Sequence, residues 1–190
     1  MIDMIVRPRI RGILEPIGRF FHRFGVTPTV MTLLGLFITL IGAVVIGSGR
    51  LTLGASIAIL GSALDGLDGA VARAAGLVSA RGAFLDAGSD RTGEIATYAG
   101  LAVAMMGDTT ALVLIVISLG GAMLTPYLRA KAESVGLTGR TGYVGRAERV
   151  IVFTIGLLTG YVVPMLWVMA IATWVTSIHR FFVAYHAIEP

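Results

Sequence analysis

Apolar residues fall into five runs, at about residues 28–48, 51–75, 82–106, 110–128 and 150–178, bounded by Gly, Pro or charge. A helix needs about 20 residues to cross a ~30 Å hydrocarbon layer, and each run is near that length. The last is long and carries Gly160 and Pro164, so a turn is predicted there and six spans result, the alternative being one unsplit helix that would put the C-terminus outside. Upstream, Ile10, Ile13, Leu14, Ile17, Phe20, Phe21 and Phe24 recur at helical spacing between Arg9, Arg11, Glu15, Arg19, His22 and Arg23. This predicts a basic amphipathic helix on the membrane surface, kinked at Pro16 and without a signal-peptide cleavage pattern. The expected fold is all-α and polytopic: one domain over 1–190, with a juxtamembrane amphipathic helix at 1–25 and a six-transmembrane-helix bundle at 26–190.

Composition supports lipid as the solvent. With 56% hydrophobic and 14% charged residues and a mean hydropathy of +0.87, a soluble domain would leave large apolar areas in water. Disorder is excluded by the same numbers, and the absence of cysteine removes disulfides, thiol catalysis and thiolate metal sites. Of the 15 Lys and Arg residues, 14 are arginine, the side chain best shaped for phosphate. They sit at the ends of apolar runs, so nucleic acid is not an expected partner. Loops on one side hold only Arg50, whereas the N-terminus, the 76–81 loop and the 129–149 segment hold most of the rest. The positive-inside rule then places those segments and both termini in the cytoplasm, on a multi-pass protein of the cell membrane.

Carboxylates are costly inside a bilayer, on the order of 3 kcal/mol each at its centre, and mark functional sites. Asp65 and Asp68 lie in the second run, Asp86 and Asp90 in the third. At about 1.5 Å per residue, Asp65 lies roughly 9 Å beneath the cytoplasmic boundary, Asp86 roughly 6 Å and Asp90 roughly 12 Å. Helical steps of about 100° per residue put Asp65, Asp68, Gly69 and Ala72 in one arc, and Gly82, Asp86 and Asp90 in another. Four carboxylates facing one point need protons or hard cations, and all-oxygen ligation suits Mg²⁺, Mn²⁺ or Ca²⁺. The plainer alternative has them pair with Arg73 and Arg91 or cap helices. His22, His179 and His186 have no metal-like spacing, and Arg91 with Glu94 reads as an ion pair on the third run.

The stretch Asp65-Gly-Leu-Asp68-Gly69-Ala-Val-Ala72-Arg73, eight residues, Gly82, three residues, Asp86, three residues, Asp90 resembles the signature of the CDP-alcohol phosphotransferases at every fixed position. The resemblance implies a phosphatidyl transferase that takes CDP-diacylglycerol and an alcohol and releases CMP. It implies two divalent ions, Mg²⁺ or Mn²⁺, held by Asp65, Asp68 and Asp86 with Asp90 as a shared ligand and the base for the attacking hydroxyl. Gly69, Ala72, Arg73 and Gly82 fall at CDP-lipid-binding positions. Thr27-Pro28-Thr29-Val30-Met31-Thr32 resembles the family's N-terminal nucleotide-contacting segment, with Thr27 where Asn is frequent. Thr29, Thr32 and Ser79 are accordingly expected at the CDP headgroup, each with the alternative of a helix cap or loop hydroxyl. The family also implies a homodimer embedded in membrane lipid.

Arg129, Arg149 and Arg180 lie at helix ends on the predicted carboxylate level. A neutral acceptor would not need such a cluster, whereas a phosphorylated alcohol would. The stretches Tyr127-Leu-Arg129-Ala-Lys131-Ala-Glu133 and Gly142-Tyr-Val-Gly-Arg146-Ala-Glu148-Arg149 are similar to the phosphatidylinositol-phosphate synthase branch and its archaeal ether-lipid relatives. That similarity implies inositol 3-phosphate as acceptor, its phosphate held by Arg129, Arg149 and Arg180. Glycerol 3-phosphate is the alternative acceptor, topology and lipid-headgroup contact the alternative role for the arginines. A cation transporter is the alternative of another class.

Overall fold

The computed structural model describes residues 16–138 and 141–188, and these are helical apart from short connections. Residues 16–23 (α1) are followed by α2 (Pro28–Gly47), α3 (Leu51–Asp65), α4 (Asp68–Ala75), α5 (Ala80–Ala104), α6 (Thr109–Ser134), α7 (Arg146–Thr159) and α8 (Val162–Ala187). Of the predicted surface helix, residues 1–15 lie outside the described residues. Two compact units divide between Ala104 and Met105.

Local chemistry sets the boundaries. Thr27 caps α2, its hydroxyl accepting the Val30 N–H at 3.3 Å ahead of Pro28. Asp108 caps α6 through the Ala111 N–H at 3.0 Å. The predicted turn in the last apolar run falls at Gly160, whose φ of +77° closes α7 in the left-handed region that glycine tolerates. The second run departs from its prediction as one continuous helix. It breaks at Gly66 and Leu67, where the Leu67 N–H bonds three residues back to the Leu64 carbonyl at 3.0 Å and a new helix starts at Asp68.

In the first unit α2 is the central helix, packed by α3 and α5. Gly35 and Gly42 on α2 meet Gly54 and Gly61 on α3, so two seven-residue glycine steps run along one seam. A Cβ at Gly42 would lie 2.6 Å from the Ala58 amide nitrogen, and one at Gly61 2.6 Å from the Gly35 carbonyl oxygen. The backbones are in contact because nothing stands between them, which is how helices associate where lipid removes the hydrophobic drive. Gly18 on α1 abuts the Ala70 carbonyl of α4 in the same way.

In the second unit α8 packs against α6 and α7. Buried hydroxyls bind the pair: Ser118 donates to the Leu166 carbonyl at 3.1 Å, and Thr125 and Ser177 share a hydrogen bond of 2.8 Å. The Trp174 indole N–H reaches the Ile117 carbonyl at 2.9 Å.

Four helical stretches are long and apolar enough to cross a membrane: Pro28–Gly47, Leu51–Ala75, Thr109–Ser134 and Val162–Ala187. The other two predicted spans differ for identifiable reasons. α5 has 25 residues, about 38 Å of helix, but Arg81, Asp86, Asp90, Arg91 and Glu94 all fall between its start and Glu94. α7 has 14 residues, only about 21 Å of helix. Large apolar side chains face outward throughout, among them Val44, Phe84, Val116 and Ile171, as a lipid-solvated surface requires.

The glycine seam is testable. Gly42→Ala forces α3 off α2 and should cost about 1–3 kcal/mol, lowering Tm in detergent by roughly 2–10 °C. Gly120→Ala, whose Cβ would meet only a Trp174 ring atom at 3.9 Å, should leave Tm unchanged or raise it; thermal unfolding of both variants checks the contrast.

Candidate active site

The break in the second run creates the site. Asp65 is the last residue of α3 and Asp68 the first of α4, while Asp86 projects from the second turn of α5. One carboxylate oxygen from each of the three lies within 4.8 Å of the others. Asp65 is 4% exposed, and Asp68 and Asp86 are half-buried. Three hard oxygen donors at that separation fit a divalent cation such as Mg²⁺ or Mn²⁺. Asp90, one helical turn further along α5, lies outside this group of three. Its carboxylate is 3.7 Å from the Arg91 guanidinium, which also pairs with Glu94 as the sequence suggested.

Other expected residues are distributed around the carboxylates. Gly69 lies on α4 one turn before Arg73, whose guanidinium nitrogen would meet a Cβ at Gly69 at 3.2 Å. Ala72 is half-buried and Arg73 exposed on the same helix. Gly82 donates its N–H to Ser79 Oγ at 3.1 Å, so Ser79 acts as the cap of α5. Thr29 is exposed in the first turn of α2. Thr32 is only 2% exposed, and its hydroxyl donates to Asp68 Oδ2 at 2.6 Å.

The sequence reading missed Gly35. A Cβ there would lie 2.7 Å from the Asp65 amide nitrogen and 2.8 Å from Asp65 Cβ, so its absence lets α2 seat the Asp65 backbone. The seven-residue step from Gly35 to Gly42 was the available signal.

In the second unit, Arg129 and Arg149 each lie within electrostatic reach of Arg180. Arg149, in the first turn of α7, is 3% exposed. Arg180 donates from Nη1 to the Thr125 carbonyl at 2.8 Å, and its buried Nε makes no hydrogen bond among the described residues. Gly142 gives that guanidinium room, since a Cβ would sit 2.7 Å from Nε. Arg129 is exposed and pairs with Glu133 at 2.9 Å. A cavity of about 100 Å³ opens beside Arg129 and Arg180, with Leu128, Ala132, Thr138 and Thr141 in its walls.

The family model described as CDP-alcohol phosphatidyltransferase matches residues 25–185. An archaetidylinositol phosphate synthase of Pyrococcus horikoshii is 35% identical over 97% of this chain and 97% of its own length. A phosphatidylinositol phosphate synthase of Mycolicibacterium smegmatis is 34% identical over 93% of this chain and 82% of its own. The crystal structure of Mycobacterium tuberculosis phosphatidylinositol phosphate synthase with CDP-DAG bound superposes with a TM-score of 0.84 at 31% identity, covering 91% of this chain and 94% of that one. The same enzyme in complex with manganese and citrate gives a TM-score of 0.83 at 31% identity, covering 90% and 88%. The matched family is one of transferases, which answers the transporter alternative, and the manganese complex of the Mycobacterium tuberculosis enzyme agrees with an all-oxygen site. The chain belongs to the CDP-alcohol phosphatidyltransferase family, and is a metal-dependent membrane transferase of phospholipid biosynthesis.

Proposed function

We propose that this enzyme moves a phosphatidyl group from CDP-diacylglycerol to inositol 3-phosphate, releasing CMP. The observation that carries the transfer chemistry is the convergence of Asp65, Asp68 and Asp86 within 4.8 Å. Two divalent ions, Mg²⁺ or Mn²⁺, bound there with Asp90 as a shared ligand would neutralise the pyrophosphate and the charge developing on the departing CMP. The acceptor hydroxyl oxygen attacks the lipid-side phosphorus as the bond from that phosphorus to the bridging oxygen of CMP breaks. Asp90, whose carboxylate lies 3.7 Å from the Arg91 guanidinium, takes the hydroxyl proton in concert with attack. Arg73 meets the nucleotide phosphates, while Gly69, Ala72 and Gly82 leave the backbone open to the nucleotide. Thr29 and Ser79 belong at the edge of that nucleotide site.

The arginine cluster supports a phosphorylated acceptor. Arg129 and Arg149 each repel Arg180, and a phosphate dianion is the ligand that turns that repulsion into attraction. Arg180 keeps Nε available for it, Arg149 supplies buried charge, and Arg129 can exchange Glu133 for the phosphate. The relatives named for inositol phosphate transfer favour that acceptor over glycerol 3-phosphate. The enzyme works as a six-span, single-domain homodimer in the cell membrane, with the site and both termini on the cytoplasmic side, where the basic segments lie.

Two substitutions separate these roles. Asp90→Asn should lower kcat by about 10²- to 10⁴-fold while leaving CDP binding near wild type, checked by turnover and equilibrium binding. Arg180→Ala should raise the acceptor KM by about 10- to 100-fold, the cost of a charged hydrogen bond, with the CDP-diacylglycerol KM little changed. The opposite pattern of KM changes would count against a phosphorylated acceptor.

A further inference from the structure

The sequence resemblance sends Thr32 to the nucleotide, but its position in the structure points elsewhere. Its hydroxyl carries one proton and has two acceptors in range, the Pro28 carbonyl at 3.1 Å and Asp68 Oδ2 at 2.6 Å. The ionised carboxylate is the stronger acceptor, and 2.6 Å falls in the range of about 2.5–2.7 Å for a hydroxyl donating to a charged oxygen. The donor is 2% exposed, leaving little surface for a ligand. In a helix threonine is confined to two χ1 rotamers, and the Pro28 carbonyl one turn back favours one that also faces Asp68. Asp68 itself opens a helix immediately after the change of hydrogen bonding at Gly66 and Leu67, and Leu67 before it offers no side-chain cap.

We propose that Thr32 is a positioning residue of the metal centre: by holding one oxygen of Asp68 it fixes the carboxylate in the rotamer that joins Asp65 and Asp86. This rests on the reading of those three aspartates as metal ligands. The hydrogen bond spans 36 residues of chain, so it ties the carboxylate to α2, the helix against which α3 and α5 also pack. Partners of this kind typically change metal affinity by about 10- to 100-fold when removed.

The test is Mn²⁺ binding by purified protein in detergent, followed by electron paramagnetic resonance without substrate. Thr32→Ala deletes the donor. Thr32→Val also puts a methyl group where the hydroxyl stood, too close for Asp68 to keep its place. Both should raise the Kd for Mn²⁺ at least 10-fold, whereas Thr32→Ser, which keeps the donor, should stay within about threefold of wild type. At saturating Mn²⁺ the CDP-diacylglycerol KM of Thr32→Ala should be close to wild type. Wild-type Mn²⁺ affinity in Thr32→Ala and Thr32→Val, with a raised CDP-diacylglycerol KM instead, would overturn the proposal and return Thr32 to the nucleotide. Failure of the wild-type protein to bind Mn²⁺ would overturn the metal reading of the aspartates along with it.

Discussion

Three carboxylate oxygens within 4.8 Å of one another, in a chain this apolar, impose the condition that the surrounding structure serves. Each pair of unit charges at that distance repels by about 3.5 kcal/mol at an effective dielectric of 20. Without a counter-charge the cluster would protonate or spread, so a divalent cation is part of what makes it tenable. The folded chain must then hold all three side chains in place before the cation arrives, because helices in lipid cannot rely on hydrophobic burial to do so.

Rigidity comes from backbone contact. Gly35, Gly42, Gly54 and Gly61 bring α2 and α3 together closely enough that α2 seats the Asp65 backbone. The interruption at Gly66 and Leu67 then restarts the helix at Asp68, and Thr32 reaches across from α2 to that carboxylate. Asp86 arrives on α5, which packs on the same α2 through Gly93 and Gly100. One helix with two small-residue faces therefore sets the positions of three acidic side chains that come from three different helices.

Much of this was legible in the sequence, because apolar runs, their breakers and intramembrane aspartates are strong local signals. The turn at Gly160 followed from length and from a glycine near a proline. The break between Asp65 and Asp68 was not legible, since Gly66 and Leu67 keep right-handed helical dihedrals and only their hydrogen bonding changes. The bond from Thr32 to Asp68 was not legible either, because a hydroxyl near a helix start looks the same whether it faces a ligand or a carboxylate 36 residues away. Gly35 escaped notice among 25 glycines, as close approach is a property of two helices together.

The most direct measurement is CMP release by the purified protein from CDP-diacylglycerol, with and without divalent cation, comparing inositol 3-phosphate, glycerol 3-phosphate, free inositol and serine. Release should require Mg²⁺ or Mn²⁺ and occur with inositol 3-phosphate and not with the neutral or zwitterionic alcohols. Release with free inositol or serine, or release that persists in chelator, would contradict the proposed function.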